Sequence, residues 1–251
     1  MQSCVAFFTE LRETLVPQRD SRHGPLAPLL VTLTFVTGLV DAFSYLVLGH
    51  VFVANMTGNV VFLGFALAGA RGFSITASLV ALAAFWCGAV VGGRVGTTLG
   101  DHRGRLLGAA AGIEAVLLAV AVALATLGPS PLAGGYRYAL IVVLAIAMGI
   151  QNATARKLAV PDLTTTVLTL TITGTAADSA LARGKGSAAG RRLIAVVAML
   201  LGALVGALLV VHVHIVYPLV IALAVLVAVA LVIRMLATAD PPWVRGKSAG
   251  G

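Results

Sequence analysis

Two carboxylates lie inside apolar stretches of this 251-residue chain, Asp41 and Glu114. An ionised group at bilayer depth costs on the order of 3 kcal/mol or more, so it normally faces a partner or a wet cavity. Each is therefore a candidate for coupling to a proton or a cation. On a helix, Asp41 shares its face with Thr34, Thr37, Gly38, Ser44 and Tyr45. Those hydroxyls would also suit a purely structural acid. Glu114 admits the same two readings, coupling or an interhelical hydrogen bond made by the protonated acid.

Amides and hydroxyls form a second group. Asn55-Met56-Thr57-Gly58-Asn59 interrupts an apolar run in the way a helix break would. Glycine permits unusual dihedrals there, and Asn or Thr can cap freed amides. A half-helix starting at this point would offer partial positive charge to an anion. Thr164, Thr165 and Thr166, in a stretch that ends at Thr173-Gly174, repeat that chemistry with hydroxyls. Gln151 and Asn152 each offer donors and acceptors that can orient a polar solute. The competing role for all of these is structural: membrane helices use the same side chains to bond one another, at about 0.6 kcal/mol per contact.

The elements that must position these residues follow from composition. The chain is 59% hydrophobic and 10% charged, against about 25% charged in soluble domains. Soluble and disordered classes are thereby excluded. The net charge of +8 fits basic loops between membrane spans better than a nucleic-acid partner, which is not expected. Cys4 and Cys87 form no metal or disulfide motif. Six stretches are long and apolar enough to span: 26–49, 75–95, 106–127, 138–155, 192–213 and 215–235. Two others, 51–70 and 163–182, have the length but carry the polar residues named above.

Those two segments decide the topology. If both cross, the seventeen Lys and Arg divide twelve to five between the two sides; if both turn back, they divide fifteen to two. The positive-inside rule favours the second arrangement, with both termini cytoplasmic. The expected fold is thus all-α and polytopic, with six transmembrane helices plus two polar re-entrant or broken helices. Residues 1–25 read as a cytoplasmic arm without a signal-peptide core, containing at most a short interfacial helix. Residues 237–251 read as a cytoplasmic tail.

The halves also resemble each other in order. Gly38-Leu39-Val40-Asp41-Ala42 matches Gly149-Ile150-Gln151-Asn152-Ala153 at an offset of 111. Ala70-Arg71-Gly72 matches Ala182-Arg183-Gly184 at 112, and Gly88-Ala89-Val90-Val91-Gly92 matches Gly202-Ala203-Leu204-Val205-Gly206 at 114. The chain therefore divides into a first repeat (26–127), a linker (128–137) and a second repeat (138–236). With three crossings per unit the two are inverted, an arrangement in which broken helices mark the binding site of secondary transporters.

Several classes lack their signatures. There is no P-loop and no HExxH, no serine–histidine pair is placed for proteolysis, and no arginine ladder is present. No nucleophile–base pair suggests an enzyme. Arg94 reads as a snorkelling residue, Arg156 and Lys157 as helix-end cations, and His212 and His214 as interfacial. No metal site or cofactor is expected.

The runs Thr37-Gly38-Leu39-Val40-Asp41-Ala42-Phe43-Ser44-Tyr45-Leu46 and Val51-Phe52-Val53-Ala54-Asn55-Met56-Thr57-Gly58-Asn59-Val60-Val61 resemble the YoaK-like family of bacterial membrane proteins. So does Gly149-Ile150-Gln151-Asn152-Ala153 with the Thr-rich stretch behind it. The resemblance covers about residues 27–236 and implies some six spans in a bacterial inner membrane, without a known substrate. Together these readings lead to an expected secondary transporter or permease for a small polar or anionic solute. Asp41 and Glu114 would couple it. Asn55, Thr57, Asn59, Gln151, Asn152, Thr164, Thr165 and Thr166 would line a midplane site. The alternative is a non-transport scaffold or membrane-complex subunit. Expected partners are the bilayer, the solute and, in one arrangement, further copies of the chain.

Overall fold

The computed structural model describes residues 12, 14–16, 23–129, 132–161, 163, 168–177, 189–237 and 242–245. From residue 23 on, the described residues form eight α-helices in order: α1 (Leu26–Val47), α2 (Met56–Leu67), α3 (Ile75–Leu99), α4 (Arg103–Leu127), α5 (Gly134–Leu158), α6 (Leu168–Ala177), α7 (Ala189–His212) and α8 (Tyr217–Ala237). Six of them are long and apolar enough to cross a membrane. At 1.5 Å per residue, α2 reaches only about 18 Å, well short of the roughly 30 Å hydrocarbon core, and the described residues of α6 account for about 15 Å.

The long helices outrun the apolar windows read from sequence. α5 begins at Gly134 rather than at 138, and α3 runs on to Leu99 rather than stopping at 95. Polar residues in a terminal turn satisfy helical geometry while their side chains reach the interface, so hydropathy alone cuts the helix short. Side chains also fix the starts: Ser74 Oγ accepts from the Ala77 amide (3.2 Å) and His102 Nδ1 from that of Arg105 (3.1 Å).

Glycine sets the helix crossings. Gly38 of α1 lies against the backbone of Met199 and Ala203 in α7, and Gly202 of α7 lies against Phe35. One turn on, Gly206 meets Leu39 and Ala42. In the same manner Gly149 of α5 lies against Phe85 and Ala89 of α3, Gly88 against Ile146, and Gly92 against Ile150 and Ala153. A side chain at these glycines would hold the backbones apart. Both pairs run parallel, since contacts advance together along the two chains. α4 and α8 pack antiparallel, Gly104 against Ala237 and Gly108 near Ile233. α1 is the most enclosed of the six long helices and α7 the least, so α7 offers Leu200, Leu204 and Leu208 to lipid.

These contacts sort the chain between two ends of the bundle. At the far end, where α1 finishes, Arg137 Nε donates to the Leu48 carbonyl (2.6 Å) and His50 Nδ1 lies 3.0 Å from the Gly72 carbonyl oxygen. The end of α1 and the starts of α3 and α5 therefore share one face, and the segment 48–74 leaves and re-enters there. At the near end, Arg103 donates to the Leu158 carbonyl and lies 3.4 Å from His23, while Trp243 packs on Gly24 and Gly104. α7, parallel to α1, starts at this end, so the segment 159–188 also returns to the end it left. Both polar segments turn back. Arg71 and Arg137 stand at the far end; Arg103, Arg105, Arg156, Lys157, Arg191, Arg192, Arg234 and Arg245 gather at the near end.

Candidate functional site

Asp41 lies six residues, or about 9 Å of helix, before the end of α1. Beyond α1, Gly49 (φ +84°) and His50 (φ +56°) turn the chain sharply back into the bundle. Leu48, Val51, Val53 and Ala54 are all buried along this return. Non-helical backbone at that depth needs internal partners, and two side chains supply them. Asp41 Oδ1 accepts from the amides of Val53 (3.1 Å) and Ala54 (2.9 Å). Asn59 grips Phe52, with Oδ1 accepting from its amide (2.9 Å) and Nδ2 donating to its carbonyl (2.6 Å). Asn55 then caps α2, Oδ1 accepting from the Gly58 amide at 3.2 Å. Stacked rings hold the loop from the far end: Tyr45 on Phe52 at 5.0 Å, Phe52 on Phe62 at 5.6 Å, and Phe62 beside Phe73 at 5.1 Å.

A cavity of about 340 Å³ opens between α1, this loop and α7. Asp41, Tyr45, Phe52 and Asn55 line one side, and Gly38 with the small residues Ala203 and Ala207 leaves the space. The Asp41 side chain is 4% exposed, yet its Oδ2 has no hydrogen-bond partner among the described residues. A buried carboxylate oxygen left so is costly, and the residue that carries it is part of the cavity lining. Aromatic ring faces beside a carboxylate favour a cation. An anion finds fewer donors: the amides of Val53 and Ala54 are taken by Asp41 and that of Gly58, in the first turn of α2, by Asn55.

The remaining residues singled out by sequence divide by their contacts. Thr57 is exposed and outside the cavity lining. Asn59 is fully buried and spent on Phe52. Gln151 joins α5 to α1, its Nε2 donating to Thr37 Oγ1 (2.7 Å) and weakly to the Leu33 carbonyl (3.4 Å). Asn152 Nδ2 donates to the Met148 carbonyl one turn back (2.8 Å). Gln151 meets α1 at Thr37 and Leu33, one to two turns before Asp41, and neither it nor Asn152 is part of the cavity lining. Glu114 is buried in α4, also away from it, with Oε2 unpartnered among the described residues. Thr164, Thr165 and Thr166 lie outside the described residues. The structure thus joins Asp41 to Asn55 and to Tyr45, its neighbour on the helix face, and adds Phe52 and Met199, whose residue types marked them only as apolar positions. Tyr45 carried a signal, being one turn from Asp41; Met199 carried none.

Comparison with known proteins sets this site in a family. The family described as protein of unknown function (DUF1275) matches residues 29–232, which include all but the first three residues of α1 and the entire segment 48–74. The UPF0700 transmembrane protein YoaK of Bacillus subtilis (strain 168) is 37% identical over 153 residues, 57% of this chain and 63% of that protein. The matched part thus falls just short of two thirds of the relative's length. No solved structure matches the chain. With its family match running from the first transmembrane helix into the last, the chain belongs to the DUF1275 family of membrane proteins of unknown function.

Proposed function

We propose that this chain is a secondary transporter or permease for a small polar solute, working without catalysis, with a proton or cation held at Asp41. The observation that carries this reading is Asp41, one carboxylate oxygen of which has no partner among the described residues, in the lining of a cavity that Tyr45 and Phe52 also line. The same geometry narrows the solute from polar or anionic to polar or cationic. A small ammonium group fits best, its charge against the carboxylate and its carbon atoms against the rings.

Two further features support the reading. The glycine contacts between α1 and α7 fall on residues that correspond, at offsets of 111 and 114, to those between α5 and α3. Gly38 faces Ala203 as Gly149 faces Ala89, and Gly206 faces Ala42 as Gly92 faces Ala153. A duplicated, inverted pair of units, each lending its first helix to the third helix of the other, accounts for this pattern. Such pairs recur in transporters that alternate access by rocking one unit against the other. The basic near end is cytoplasmic on the positive-inside rule, which places both chain ends inside and the Asp41 loop toward the outer face of a bacterial inner membrane.

Binding tests the proposal. Tetramethylammonium, ethylammonium and acetate are titrated onto purified protein while its melting temperature is followed. The organic cations are expected to raise it in the wild type but not in Asp41→Asn, and acetate is expected to leave both unchanged. A cation response equal in the two proteins, or absent from both, contradicts the assignment. The second reading, a non-transport scaffold, is favoured by the internal use of Asn59 and Gln151. In that case Asp41→Asn alters assembly with a partner and leaves ligand response flat.

A further inference from the structure

A second, larger hollow lies at the opposite end of the molecule. Between α4 and α8 a groove of about 1180 Å³ runs from the near end into the membrane-spanning part of both helices. Its floor is made by Gly108 and Gly112 on α4 and by Ala230 and Ile233 on α8. The glycines are what create the depth. Gly112 has nothing within 4 Å of where a side chain would begin, so no described neighbour fills the space. At the mouth stand Arg105, Arg234 and Arg245, with Asp101 the acidic residue beside them. Among the described lining residues, Arg105 and Arg234 outnumber the one carboxylate even with Arg245, which has contacts of its own, left out of the balance, and this end already holds most of the described basic residues.

We infer that this groove is a site for an anionic phospholipid, the phosphodiester held by the arginines and one acyl chain laid along the Gly108–Gly112 floor. The charge fits the headgroup. Guanidinium forks match phosphate oxygens in geometry as well as sign, and basic pockets between membrane helices on the cytoplasmic side recognise such headgroups. The depth fits the chain, because the floor is apolar and continues below the arginines at the level where lipid tails begin. A free phosphate would use the mouth and leave the floor unfilled. The site is independent of the Asp41 cavity, which is on the other pair of helices near the other end.

Native mass spectrometry of the purified chain, titrated with phosphatidylglycerol or phosphatidylcholine of the same acyl chains, tests the assignment. Phosphatidylglycerol is expected to be retained at least about tenfold better. In Arg105→Gln/Arg234→Gln its retention is expected to fall to the phosphatidylcholine level. Gly112→Leu fills open space without displacing a neighbour, so it keeps the fold and is expected to weaken both lipids. Glycerol phosphate, which lacks acyl chains, is expected not to displace the bound lipid. Equal retention of the two lipids, retention unchanged in both variants, or displacement by glycerol phosphate would each overturn the inference.

Discussion

Asp41 has two separable tasks, one for each carboxylate oxygen, and two substitutions pull them apart. Asp41→Ala removes the acceptor for the Val53 and Ala54 amides. Each buried amide left unpaired costs about 1–3 kcal/mol, so the variant is expected to lose about 2–6 kcal/mol, concentrated in the loop 51–55. Asp41→Asn keeps an acceptor of the same shape. It weakens two charge-assisted bonds to neutral ones, a loss of about 1–2 kcal/mol in total, and puts a neutral amide in the cavity lining in place of the acid. Hydrogen exchange on the amides of residues 52–55, with thermal unfolding in the same detergent, reads both effects. The expected order of loop protection is wild type, then Asp41→Asn, then Asp41→Ala, with the larger gap before the last. Equal loss in the two variants would refute the division of labour, because the charge and not the acceptor geometry would then be holding the loop.

Glycine substitutions should divide by what lies opposite. In Gly88→Ala and Gly202→Ala the new methyl meets the Ile146 and Phe35 backbones, so a loss of about 1–3 kcal/mol is expected in thermal unfolding. Gly64→Ala and Gly93→Ala face open space within helices and are expected to gain about 0.5–1 kcal/mol. Topology is checked by single cysteines at Arg71 and Arg245 in a chain freed of Cys4 and Cys87. Impermeant labelling from opposite faces is expected, since five spans separate the two sites; labelling from the same face would mean that the segment 159–188 crosses completely.

Much of the architecture was legible because bilayer thickness imposes a length on every span. The six long helices were bounded to within a few residues by hydropathy, and the errors fell at ends such as Gly134, where a polar turn continues the helix. Lys and Arg placement chose turning back over crossing for both polar segments, and the ends of α1, α3, α5 and α7 lie accordingly. The site was less legible. Residue type marked Asp41 and Asn55, yet type alone equally marked Asn59 and Gln151, which are occupied by Phe52 and Thr37. Spacing along one helix led to hydroxyls as the partners of Asp41, whereas its bonds go to amides twelve and thirteen residues on. Such partners follow from a loop folding back, a tertiary event with no periodic signature. The same holds for Met199, which reaches the cavity only because Gly38 lets α7 approach.

The central claim, that Asp41 takes up a proton or cation as a solute crosses, is tested most directly by reconstitution. Proteoliposomes loaded with a pH indicator are exposed to gradients of small ammonium compounds and neutral polar solutes, with wild type and Asp41→Asn compared at equal protein content. At least one solute should move protons, or respond to an imposed proton or sodium gradient, in the wild type, and Asp41→Asn should abolish that coupling while remaining folded. Indistinguishable traces from the two proteins across the panel would contradict the account.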